Sequence, residues 1–230
     1  MIKKTKKTPK QTARIQDMKI YTIEEAVKKV KEAAKEKFDG TVELHINLAT
    51  DPKKVEQNIR YTTTLPSGTG KTKKVAVFAS KKITKADLEL TEADLDKILS
   101  GQIRPKVDFD VLVAEPRFMA KIAKVAKILG PVGAMPNPKT GTVSEDVEKA
   151  VEQIKKGKVE IKTEKDAAVI HTIVGKVSFE DDALAENIKE VFTSLRQNKP
   201  PKTSPEWVNG ISICSSMGPS FKIETSFFVQ

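Results

Sequence analysis

The chain has 230 residues, a formal net charge of +10 at pH 7 and a pI near 9.4, and Lys3, Lys4, Lys6, Lys7 and Lys10 crowd its first ten positions. An excess of positive charge that is both global and local favours a polyanionic partner, and nucleic acid over an acidic membrane. No apolar run reaches the roughly 20 residues that cross a bilayer, the lone Cys214 excludes an intrachain disulfide framework, and His45 and His171 alone offer no zinc-ligand spacing; the expectation is a cytoplasmic chain with no signal segment, metal or cofactor.

Residues 1–17 are basic and without periodicity, the pattern of a flexible basic arm. Thr22-Ile23-Glu24-Glu25 reads as a capping box, followed by Ala26, Val27, Val30 and Ala34 at helical spacing, with Lys37-Phe38-Asp39-Gly40 expected to end the helix. Thr41 to Leu48 alternates strictly, Val42, Leu44, Ile46 and Leu48 on one face and Thr41, Glu43, His45 and Asn47 on the other, which predicts a half-buried strand. Past the Asp51-Pro52 turn, the β-branched run from Ile59 to Leu65 predicts a second strand, and Pro66 to Gly70 breaks it.

Gly70-Lys71-Thr72 is not a phosphate loop: Leu65 stands where the motif needs a glycine, and a strand pattern follows where a helix should open. Strands at Val75 to Ala79 and Phe109 to Ala114 alternate with helices whose start signals are Thr84-x-x-Asp87 and Thr91-x-x-Asp94, an arrangement of a small parallel or mixed α/β sheet. Arg117 to Leu129 predicts a helix. Between it and a further helix opened by Thr142-x-x-Glu145 lies a stiff loop, Gly130-Pro131-Val132-Gly133-Ala134-Met135-Pro136-Asn137-Pro138-Lys139-Thr140-Gly141.

Gly157 stops that helix. Val159 to Thr163 and Ala168 to Val174 then resemble a hairpin, Ser178-x-x-Asp181 signals a helix through Leu195, and strands on either side of Met217-Gly218-Pro219-Ser220 close the chain. Each flank holds too little for a core of its own. The predicted architecture is therefore an α+β terminal-segment domain, residues 18–67 plus 159–230, into which an α/β domain, residues 68–158, is inserted through two crossings that would act as a double hinge.

No nucleophile motif, supported carboxylate pair or metal spacing points to catalysis. Phe38 reads either as a core plug or as a surface contact, and Met217 either as filler or as a contact. Beside Thr41, Glu43, Ser215 and Ser216 they could form an apolar surface rimmed by hydroxyls and lysines, suited to folded RNA. His171 reads as a hydrogen-bonding strand residue that could join that face.

The stiff loop resembles the signature of the large-subunit ribosomal protein L-one family, bacterial type. The resemblance extends over Lys37-Phe38-Asp39, Thr41-Val42-Glu43, Asp51-Pro52, Gln57-Asn58 with Arg60, Leu65-Pro66, Gly68 to Lys71, Ile170-His171, Gly175-Lys176 with Phe179, and Ser215 to Pro219. It implies a Rossmann-like three-layer inserted domain, no enzyme activity, and ribosome-associated work as a monomer when free. Its implied partners are the large-subunit rRNA stalk beside the E site, E-site tRNA whose release it assists, and its own operon mRNA, whose translation it represses. The RNA-binding residues it implies are Lys37, Phe38, Thr41, Glu43, His171, Lys176, Ser216, Met217 and Gly218.

The chain departs from the family pattern at Gly40, Tyr61, Val132 and Gly210, where the family favours an acidic residue, glycine, arginine and serine, and at Ser216, which keeps the hydroxyl of a usual threonine. Two other readings stay open: a nucleotide-binding α/β enzyme and a non-specific basic RNA chaperone.

Overall fold

A computed structural model describes residues 19–228 apart from 52, 53, 55, 56, 81, 82, 84, 202 and 205. The basic arm, Pro52 of the expected turn and Thr84 of one expected cap lie outside the described residues. In chain order the main elements are β1 (Ile20–Tyr21), α1 (Ile23–Ala33), β2 (Thr41–Leu48), β3 (Arg60–Thr64), β4 (Val75–Phe78), β5 (Leu88–Glu89), α2 (Glu92–Leu99), β6 (Val111–Ala114), α3 (Met119–Ile122), α4 (Ala126–Val132), α5 (Val147–Lys155), β7 (Lys158–Lys162), β8 (Val169–Lys176), α6 (Asp181–Gln197), β9 (Val208–Ser215) and β10 (Ser220–Ile223).

The chain forms two compact units, one from the segments up to Ile59 and from Lys162 onward, the other from Arg60 to Ile161. The expected boundaries at 67/68 and 158/159 fall just inside the second unit, because β3 and β7 pair with each other in a two-stranded sheet.

In the terminal-segment unit five strands lie in the order β1-β10-β9-β2-β8. β2 is the pivot, antiparallel to both β8 and β9. Its alternation puts Val42, Leu44 and Ile46 at 0% exposure, on the side where α1 and α6 add Val27, Val30, Ile188, Val191 and Leu195. Full burial of each such side chain contributes about 1.5–3 kcal/mol. Beyond β10 a short 3₁₀ turn (Ser226–Phe228) sets the buried Phe228 edge-on to Phe192 and Trp207.

In the inner unit β5-β4-β6 is a parallel sheet. Alternate residues of β4 feed two cores, Ala76 and Phe78 packing with Leu95, Ile98, Ile122 and Leu129, and Val75 and Val77 with Val147, Val151 and Ile154. Burial on both faces explains why the strand reads as one apolar run. The Gly70-Lys71-Thr72 stretch precedes β4, so a strand and not a helix follows it. At Gly157 (φ +99°) an added Cβ would stand 2.6 Å from Gly68 Cα, so the two backbones meet glycine on glycine.

Several expected boundaries moved, each because a tertiary partner captured the signalling residue. α1 stops at its cap Ala34, and Gly40 is not its terminator: Asp39 accepts from Ser178 N and Oγ at 3.1 and 2.9 Å, drawing the chain towards β2. Ser178 is therefore no cap for α6, whose N-cap is Glu180, and Asp181 pairs with Lys31 at 2.5 Å. Asp87 opens no helix; it accepts from Val75 N and Lys155 Nζ beside β5.

Thr142 bonds Asn137 N at 2.8 Å inside the stiff loop, so α5 starts later, after Asp146. That loop itself begins late, since Gly130, Pro131 and Val132 form the last turn of α4 before the left-handed cap Gly133. Finally, β7 and β8 are no hairpin: apart from a single bridge, Thr163 to Ile170, β7 goes to β3 and β8 to β2. The capping box at Thr22 formed as expected, and the start signal at Thr91 opens α2, with Asp94 accepting from Thr91 N at 2.9 Å and from its Oγ1 at 2.7 Å.

Candidate nucleic-acid interface

β2, β8 and β9 bring their ends together at one corner of the terminal-segment unit. By alternation from Ile170, Thr172 and Val174, Lys176 would point to the helix side. It does not, because β8 carries a bulge: Val42 pairs with Gly175 but Glu43 with Ile173, leaving Val174 as the extra residue. The bulge turns Lys176 onto the face of Thr41, where its Nζ donates to Thr41 Oγ1 and to Asp39 O, both at 3.0 Å. Gly175 is required there, since a Cβ would lie 2.7 Å from Leu184 Cδ2 and 3.0 Å from Phe179.

From the β9 side, Ser216 N donates to Thr41 O at 2.8 Å and Ser216 Oγ to Glu43 Oε1 at 3.3 Å. The next bond, Gly218 N to Ser215 O at 2.9 Å, closes a tight turn in which Met217 sits at φ +69°. Gly218 must lack a side chain, because a Cβ would collide with the buried Ser215 Oγ beneath it. Met217 is left 84% exposed, and Phe38, in the segment that enters β2, is 58% exposed. Neither is core. Lys37 is exposed next to it.

The structure thus ties Thr41, Glu43, Lys176, Ser216 and the Met217-Gly218 turn into one hydrogen-bonded corner, with Lys37 and Phe38 just ahead of it in the chain. His171 is not part of it. It pairs with His45 further along the sheet, Nδ1 to Nδ1 at 2.6 Å, with Glu164 Oε1 at 3.7 Å from its Nε2. His45 Nε2 lies 3.2 Å from Cys214 Sγ and 4.0 Å from Glu43 Oε2.

Burial first, and the facing His171 second, hold the His45 imidazole below its ordinary range, against the opposing pull of Glu43. Burial and the Glu43 carboxylate push the Cys214 thiol up. Cys214 is half-buried on this face. Sequence spacing missed this cluster because its members come from three strands; the only advance signal was the polar alternation of Glu43 and His45.

A basic two-unit α/β protein, whose cationic and apolar groups converge on a rigid turn, is the class that fold and site define. The model of the Ribosomal protein L1p/L10e family matches residues 30–219. Large ribosomal subunit protein uL1 of Mycoplasma capricolum subsp. capricolum is 42% identical over 226 residues, covering 97% of this chain and 100% of that protein. The protein of the same name from Mesoplasma florum is 42% identical over 216 residues, covering 91% and 93%, and that of Mycoplasma mycoides subsp. mycoides SC is 41% identical over 226 residues, covering 97% and 100%. The chain belongs to the Ribosomal protein L1p/L10e family.

Proposed function

We propose that this chain is a structural protein of the large ribosomal subunit that docks its terminal-segment unit on the rRNA stalk beside the E site. Family membership supports the ribosomal role, and the corner supplies a way to perform it. Lys37 and Lys176 provide phosphate attraction, Phe38 and Met217 an apolar surface against bases or riboses, and Thr41, Glu43 and Ser216 polar groups able to read 2′-hydroxyls. His171 extends the surface along the sheet. The inner unit, reached by two chain crossings that serve as a hinge, contacts tRNA leaving the E site. The same corner, offered a similar fold in the operon mRNA, represses its translation.

The observation that carries this reading is Met217, an exposed apolar side chain on a left-handed backbone, fixed by the bonds of Ser216 and Gly218. Replacing the ribose hydroxyls of a stalk RNA fragment with hydrogen at the nucleotides protected by the protein tests it. The expected result is an affinity loss of at least tenfold for wild type and a smaller loss for Ser216→Ala. Equal binding of the hydroxyl and deoxy fragments by wild type contradicts ribose reading at this corner.

A further inference from the structure

The sheet face beyond the turn gathers ligands of a kind that oxygen-seeking cations do not prefer. Glu43 and His45, two apart on β2, project to the side away from the helices; Cys214 on β9 is the cross-strand partner of Glu43, and His171 on β8 that of His45. One donor atom from each of Glu43, His45 and Cys214 lies within 4.8 Å of the other two. We propose that Glu43, His45 and Cys214 bind one zinc(II) ion, with water as the remaining ligand and His171 as a positioning residue.

The donor set itself is selective. Thiolate, imidazole and carboxylate together suit zinc, whereas magnesium and calcium take oxygen ligands. Around a tetrahedral zinc with bonds of about 2.0–2.3 Å, neighbouring donors stand roughly 3.2–3.8 Å apart. His45 Nε2 is already 3.2 Å from Cys214 Sγ and 4.0 Å from Glu43 Oε2. The third pair, Cys214 and Glu43, stands within 4.8 Å, so side-chain rotations of up to about an ångström bring the three donors to zinc-binding separation.

The hydrogen bonds that would orient His45 are also in place. If His45 donates its Nδ1–H to His171 Nδ1, 2.6 Å away, its Nε2 lone pair faces Cys214 and Glu43. His171 in turn presents Nε2–H towards Glu164 Oε1 at 3.7 Å. A zinc-ligating histidine is ordinarily oriented by a hydrogen bond from its other ring nitrogen, and His171 accepts that bond here. Glu43 can serve both neighbours, because Ser216 bonds Oε1 while Oε2 is the oxygen nearer His45. The side chains of His45 and Glu43 are 25% and 39% exposed, enough for an ion to enter from solvent. On binding, the S–H bond of Cys214 is replaced by an S–Zn bond and its proton passes to solvent; nothing is oxidised or reduced.

The full-length chain, stripped of metal with a chelator, is titrated with cobalt(II) as a spectroscopic probe and then with zinc(II). Cys214 is the only cysteine of the chain, so a thiolate-to-cobalt charge-transfer band reports this site and no other. The expected band saturates at one equivalent, is bleached by zinc, disappears in Cys214→Ser, and needs about 10–100-fold more cobalt in His171→Gln at unchanged circular dichroism. Absence of the band in wild type with excess cobalt overturns the proposal, and so does zinc affinity that is the same in wild type, Cys214→Ser and His45→Ala. The wild-type spectrum decides by itself if a variant does not fold. No RNA is present, so the result is independent of the docking role proposed above.

Discussion

Met217 holds a left-handed backbone at φ +69° with 84% of its surface exposed, so neither the turn nor the core accounts for a methionine there. Glycine meets that geometry without the cost of about 1–2 kcal/mol that an L side chain carries in the left-handed region. A strained, exposed residue is what a contact surface requires and a stability-selected turn does not. Met217→Gly is therefore expected to leave stability unchanged or raise it by up to about 1 kcal/mol, part of the relief being offset by the freer unfolded chain. Affinity for stalk RNA should fall in the same samples. Urea midpoints and RNA titrations measured together check this; a destabilised variant with wild-type affinity would assign Met217 a structural role. Sequence left Phe38 and Met217 divided between core and surface, since apolar character alone does not fix exposure. The strand ends that hold them away from the helices are a tertiary fact.

At the scale of elements, the bulge in β8 decides where Lys176 points. A strand read by strict alternation sends that lysine to the wrong face; two residues of β8 set against one of β2 return it to Thr41. Gly175→Ala puts a methyl 2.7 Å from Leu184 Cδ2, and overpacking of this kind costs about 1–3 kcal/mol. Lower urea midpoint and weaker RNA binding should appear together, whereas Lys176→Gln should weaken binding at wild-type stability. A Gly175→Ala protein with unaltered stability would show that the helix side yields freely. Most elements were legible from periodicity, including β2, β4, β9 and the helices capped by Thr22 and Thr91. Thr142 was not legible as a loop acceptor, nor Ser178 as a tertiary donor, because a threonine or serine three residues ahead of an acid looks the same whether its hydroxyl caps a helix or serves another partner. The β7 and β8 pairings were hidden for a related reason: adjacency in sequence favours a hairpin, and only the sheet as a whole shows that β2 and β3 compete for those strands.

For the whole molecule, sequence showed that the two outer segments need one another, and the structure assembles them into a single five-stranded sheet. The metal-ligand cluster was beyond reach, since positions 43, 45, 171 and 214 become neighbours only through that sheet. Its net charge of +10 gives the chain attraction for any polyanion, and that attraction weakens with salt. Shape recognition by the Phe38 and Met217 surface should not weaken in the same way. The decisive measurement is thus binding to a stalk RNA fragment and to a scrambled hairpin of equal length across a salt series, for wild type, Phe38→Ala and Met217→Ala. Wild type is expected to keep its preference for the stalk fragment at high salt, and each substitution to shrink it. If both RNAs bind alike and weaken together, binding is charge alone, and the corner formed by β2, β8 and β9 is not the site.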